Sequence, residues 1–145
     1  MNDKNLNMVT NTIKKVHMLR IRKGEDIFNT LTKFVNENNI RAGMISAIGA
    51  LSNVTLGYLI KGKYKTIKQK GELEVGSCLG NISVKEGKPF VHVHLVCQDI
   101  NQVTIAGHVL EGCVVNPTLE VIILEFEKEI NRKFDEECQL YLWDI

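Results

Sequence analysis

Apolar and polar positions change their period several times along the chain, and each change marks an element. From Ile13 to Arg22 the alternation is imperfect, and a strand accounts for it best. Gly24-Glu25-Asp26 then opens a helix. Ile27, Phe28, Leu31, Phe34 and Val35 recur at the spacing of one helical face, and Glu25 and Asp26 suit the positive end of its dipole. Asn36 to Asn39 ends it. This is the only long helix the pattern predicts, and its stripe predicts packing against a sheet.

From Ile40 the pattern is that of strands. Met44–Leu51 and Val54–Ile60 read as two runs, followed by a hairpin tip over Lys61–Lys65. Leu73–Val84 is a further strand region, whose glycines predict a bend, a bulge or a close backbone approach. Glu86–Pro89 turns into the strand Lys88–Cys97. After the polar loop Gln98–Gln102, an apolar run from Thr104 extends to about Val115, where Asn116-Pro117 is expected to break it. Thr118–Phe126 is nearly all apolar, which predicts burial on both faces. Residues 127–137 form a charged surface segment. Leu140–Trp143 closes the chain as an edge strand or a contact with a neighbouring subunit. One helix among many strands gives the α+β class with antiparallel sheets. No repeat, linker or low-complexity tract divides the 145 residues, so residues 1–145 form a single domain, with 1–11 flexible.

Charge changes this picture little. The formal net charge is only +1, and a domain that wraps nucleic-acid phosphates is usually more basic. The basic stretches Lys14–Lys23 and Lys61–Lys70 read first as solvated faces and second as anion or nucleic-acid contacts. Cys78, Cys97, Cys113 and Cys138 form no C-x-x-C pair, which predicts free thiols in a reducing setting. No apolar run is long enough to span a bilayer, so a cytoplasmic protein that does not enter membranes is the expectation. The chain has no phosphate-binding glycine loop and no G-x-S-x-G nucleophile turn.

The candidate chemistry lies in the strand Lys88–Cys97. His92 and His94 are two apart and share a face, while Val91, Val93 and Leu95 take the other. His108 sits in the next apolar run. If the two runs pair, three imidazoles converge, and imidazole is the commonest protein ligand for zinc. A three-histidine set leaves a fourth position open to water or a small ligand. A metal there would lower the pKa of water to roughly 7. Histidines in strands are more often structural residues, and that reading stands beside the metal one.

Gly80-Asn81-Ile82, Gly87–His94, Ala106-Gly107-His108-Val109-Leu110 and Pro117–Val121 together resemble the plants-and-prokaryotes-conserved (PPC) domain. Arg41-Ala42-Gly43 and Gly49-Ala50 through Leu56-Gly57-Tyr58 fit the same pattern, and the resemblance runs from about Val16 to Leu142. It implies an α+β domain that assembles as a homotrimer. It also implies a metal, usually zinc, on His92, His94 and His108. Plant members join the domain to AT-hooks, and the family is often labelled DNA-binding. This chain has no Arg-Gly-Arg-Pro hook, and Ala106 replaces the first glycine of the family's Gly-Gly-His.

Three functions follow as expectations. The first is a metal-centred site for a small ligand. A general base would make it hydrolytic, and Glu120 is the catalytic candidate, as the odd carboxylate at the head of an apolar strand. That role requires the Glu120 strand to lie beside the His108 strand. The alternative is an exposed glutamate at a strand start. Glu111 alternates away from His108 and is the weaker choice, while Asn81 is expected to orient a ligand or a histidine. The second is a DNA-associated regulatory module with weak DNA binding. The third is an oligomerisation module whose metal supports the fold.

Overall fold

The computed structural model describes residues 7–60 and 63–145. The N-terminal residues 1–6 and the hairpin positions Lys61 and Gly62 lie outside the described residues. Within the segment expected to fray, Asn11 is pinned: its side chain donates to the Lys128 carbonyl at 2.6 Å and accepts from the Lys128 N–H at 2.9 Å.

β1 (Ile13–Arg22) leads into α1 (Ile27–Glu37). Asp26 is the N-cap, accepting from the Asn29 N–H at 2.9 Å, and its second oxygen accepts from the Gly112 N–H at 2.8 Å. The cap therefore ties the helix start to a distant turn. β2 (Gly43–Ile60) is one strand where two runs were expected. The polar Ser52-Asn53 pair does not interrupt it. Instead its register slips at Ala47–Gly49 and again at Leu51–Asn53, and such bulges bend a strand without ending it. β3 (Lys63–Lys85), β4 (Lys88–Asp99) and β5 (Thr104–Val109) follow.

β5 ends at Val109, short of the expected Val115, and β6 (Val114–Phe126) runs straight through Asn116-Pro117. The expected break is absent because β6 slips against β2 there: Val115 faces Leu51, whereas Leu119 faces Gly49. Pro117 falls inside that irregularity, where its missing N–H costs no ladder bond. The charged segment carries β7 (Asn131–Asp135), which hairpins with the edge strand β8 (Leu140–Trp143).

The strand order is β1-β6-β2-β5-β4-β3-β7-β8, and β2 also pairs with β3, so β2 to β5 close on one another. All pairings are antiparallel except β3 with β7. α1 presents Ile27, Leu31 and Val35 to a core that includes Ile45, Val93, Leu95, Val121 and Ile123. The other face of the sheet is open. Thr118–Phe126 was expected to be buried on both faces, but within it only Leu119, Val121, Ile123 and Glu125 are buried; Ile122 is 44% exposed. Register places Met18, Ile122, Ser46 and Leu79 in one row across β1, β6, β2 and β3, and the row ends on His94 and His108.

Candidate metal centre

Burial of one strand face dictates where the histidines point. Val91, Val93, Leu95 and Cys97 are buried, so His92 and His94 must take the outer face of β4. β5 pairs with β4 such that His108 stands directly opposite His94. Gly107 makes room for this pairing. A Cβ there would lie 3.2 Å from the Gly57 carbonyl oxygen and 3.3 Å from the Tyr58 ring, whose hydroxyl donates to the Ala106 carbonyl.

The three rings cluster at centroid distances of 5.0 to 5.5 Å, and one nitrogen from each lies within 4.8 Å of the others. His92 Nε2 and His94 Nε2 are 3.2 Å apart. Nitrogens that share one tetrahedral zinc lie about 3.3 Å apart, so the pair already has the spacing and a small closure brings in His108. Burial holds the His92 pKa down at about 4, helped by the charges of His108, Arg132 and His94. Burial, then His94, lowers His108 as well. Both rings are thus neutral at pH 7, the protonation state in which an imidazole ligates a metal. Donor type and the spacing of His92 and His94 suit a divalent metal ion.

Arg132, on β7, is a member of the site that the sequence pattern does not flag. Its Nε donates to Ser83 Oγ at 2.7 Å, Nη1 to the Tyr141 carbonyl at 2.7 Å, and Nη2 to Asn81 Oδ1 at 2.9 Å. Nη2 also lies 3.5 Å from His92 Nδ1. The guanidinium rests 5.2 Å from the Phe90 ring centroid. Nothing in the run Glu127–Glu137 distinguishes this arginine from its charged neighbours. It reaches the site because β7 joins the far edge of β3, a pairing between residues far apart in sequence.

Asn81 stands where an orienting residue was expected: it is the cross-strand partner of His92 and holds Arg132 beside that ring. Glu120 does not join the site. It is exposed, with Arg20 opposite it on β1 and Ile48 on β2, and β2 separates its strand from β5. The expected adjacency of the Glu120 and His108 strands is therefore corrected. The short Leu110–Cys113 connection turns the chain past β2 rather than alongside β5. Glu111 is exposed and accepts from the Asn29 side chain at 3.1 Å. Among the described residues, no carboxylate joins the three histidines within the 4.8 Å spacing.

Solved structures share this architecture. A metal-containing protein of Archaeoglobus fulgidus matches with a TM-score of 0.85 and 30% identity, over 95% of this chain and 99% of its own. A plant- and prokaryote-conserved protein of Pyrococcus horikoshii matches at 0.86 and 29%, over 97% and 98%. Bifunctional protein GlmU of Synechococcus sp. strain JA-3-3Ab is 29% identical over 112 residues, 77% of this chain. The chain spans only 17% of the length of that curated relative. The model of the Plants and Prokaryotes Conserved domain matches residues 8–127, which hold the helix, the three histidines and the sheet that carries them, and the chain belongs to that family.

Proposed function

We propose that the protein binds one divalent metal, zinc in the first instance, on His92, His94 and His108, and offers the remaining coordination position to water or a small ligand. The observation that carries this reading is the convergence of three imidazole nitrogens within 4.8 Å, from two strands. Likeness to a metal-containing protein of 30% identity supports it. When bound, the metal supplies a Lewis acid. The chain's own residues do the rest: Val91, Val93 and Leu95 fix the strand that aims the rings, and Asn81 and Arg132 hold the outer side of His92. Among the described residues, no carboxylate joins the cluster to serve as a general base.

Elemental analysis of purified protein tests it. About one zinc per chain is expected, with Zn–N distances of roughly 2.0–2.1 Å. His94→Ala should lose most of the metal and remain folded. Equal metal content in the two proteins overturns the assignment. If the metal only supports the fold, its removal unfolds or dissociates the protein instead.

The reading includes a homotrimer. The apolar row Met18, Ile122 and Leu79, respectively 79%, 44% and 49% exposed, supports assembly across the open sheet face. Four free cysteines, three of them buried, accord with a reducing cytoplasm. Among the described residues, no helix is long and apolar enough to cross a membrane. A DNA-associated role is the second reading. The exposed Lys65, Lys68 and Lys70 on the β2–β3 hairpin favour it.

A further inference from the structure

We infer that the ligand of this site is a small organic carboxylate, with its charge drawn by the loaded metal and Arg132 and its apolar body in the cavity beside Asn81. The inference rests on the metal-binding reading and names the ligand class for the same site. Arg132 is half-buried and makes no ion pair among the described residues. Its partners are a hydroxyl, a carbonyl, an amide oxygen and the His92 ring, none of them anionic at neutral pH. The three histidines bring no negative charge, and no carboxylate joins them among the described residues. A divalent ion added to this set meets a fixed cation and neutral donors. A half-buried excess of positive charge is poorly screened by water, and an anion is the ligand that relieves it. The guanidinium keeps its proton and is held by Ser83, Tyr141 and Asn81, so the charge is in place before the ligand arrives.

The shape of the ligand follows from the other side of Asn81. A cavity of about 420 Å³ opens there, with Met44, Ile82, Phe126, Ile130 and Trp143 among its walls. Asn81 lines the cavity and is also the cross-strand partner of His92, so the cavity lies one strand away from that ring. These walls suit an aliphatic chain or a ring, and the charged end belongs at the histidines.

Binding to the oligomer as purified, loaded with cobalt(II) as a visible probe of coordination, tests the assignment with hexanoate, acetate and hexanamide. Hexanoate should perturb the cobalt spectrum and bind at least tenfold tighter than hexanamide, which has the same tail without the charge. It should also bind at least tenfold tighter than acetate, since each methylene that enters the cavity is worth about fourfold. Arg132→Gln should lose at least tenfold in hexanoate affinity per cobalt bound, while Arg132→Lys keeps the preference for the anion. The wild-type comparisons hold even if the glutamine variant fails to fold. Hexanamide binding as tightly as hexanoate overturns the role of Arg132, and acetate doing so overturns the role of the cavity. Wild-type protein that takes up no cobalt overturns the metal reading, whereas loaded protein indifferent to hexanoate overturns this ligand class alone.

Discussion

Glu125 and Ser83 are the polar side chains buried in the described core. Glu125 Oε1 accepts from Lys14 Nζ at 2.7 Å, and Oε2 lies 2.8 Å from His17 Nε2, whose ring meets Phe34 edge-on at 5.6 Å. Burial alone would raise this carboxyl, but the hydrogen bonds from Lys14 and His17 outweigh it and hold the pKa below its ordinary value. A depressed folded-state pKa contributes stability that is present above the unfolded value and is lost as pH falls through the folded one. Glu125→Gln should therefore cost about 2 kcal/mol at pH 7 and flatten the loss of stability below pH 4.5, as urea titrations between pH 3 and 7 would show. Equal pH profiles for the two proteins would remove the role. His17, on β1, is thus partner to a buried acid. Strand parity explains the exchange of roles between two glutamates. Leu119, Val121 and Ile123 face the core, so Glu125 shares their side and Glu120 cannot. Reading the strand as buried on both faces hid that distinction.

At the scale of elements, the pairing of β3 with β4 sets the site. Gly80 lies opposite Val93, and a Cβ on Gly80 would sit 2.4 Å from the His92 carbonyl oxygen and 2.8 Å from Val93 Cγ2. Backbone cannot give way by that much without moving the His-x-His strand. Gly80→Ala should cost about 2 kcal/mol or more in chemical denaturation and should weaken metal retention with it. Full stability and full metal content would show that the strand relaxes freely. The glycines of this region were legible as a bend, a bulge or a close backbone approach, because a strand interior tolerates glycine poorly without such a reason, and Gly80 is the last of the three. The joining of Met44–Leu51 and Val54–Ile60 was not legible. Ser52-Asn53 has the composition of a turn, and only the neighbours β3 and β6 on either side keep the backbone extended through it.

At the scale of the molecule, the open sheet face is the largest question the fold poses. α1 covers one face, and the row Met18–Ile122–Ser46–Leu79 leaves apolar side chains on the other. Stable association would bury on the order of 1,000 Å² or more. Ile122→Lys places a charge mid-row and should dissociate the oligomer, with the fold retained by circular dichroism; light scattering at micromolar concentration reads the outcome. A wild-type monomer under those conditions rejects the homotrimer. Net charge of +1 argues the other way for nucleic acid. Duplex DNA should bind weakly, without sequence preference, and the binding should vanish between about 50 and 200 mM salt, as counterion release requires. A tight, sequence-specific complex in physiological salt would promote the DNA reading.

Periodicity is a local property, and what it determined here was local: one helix between Gly24-Glu25-Asp26 and Asn36–Asn39, extended runs after it, and His92 and His94 on a common face because side chains two apart in a strand must share one. The convergence of His108 was conditional on its run pairing with the first, and the family likeness pointed the same way. Which strands lie side by side is decided by burying the apolar faces of the whole sheet, and alternation within a strand carries no information about that. Tertiary structure therefore decided that β2 stands between β5 and β6, which leaves Glu120 in solvent. It also decided that β7, from a segment legible only as charged surface, lays Arg132 against Asn81 and His92.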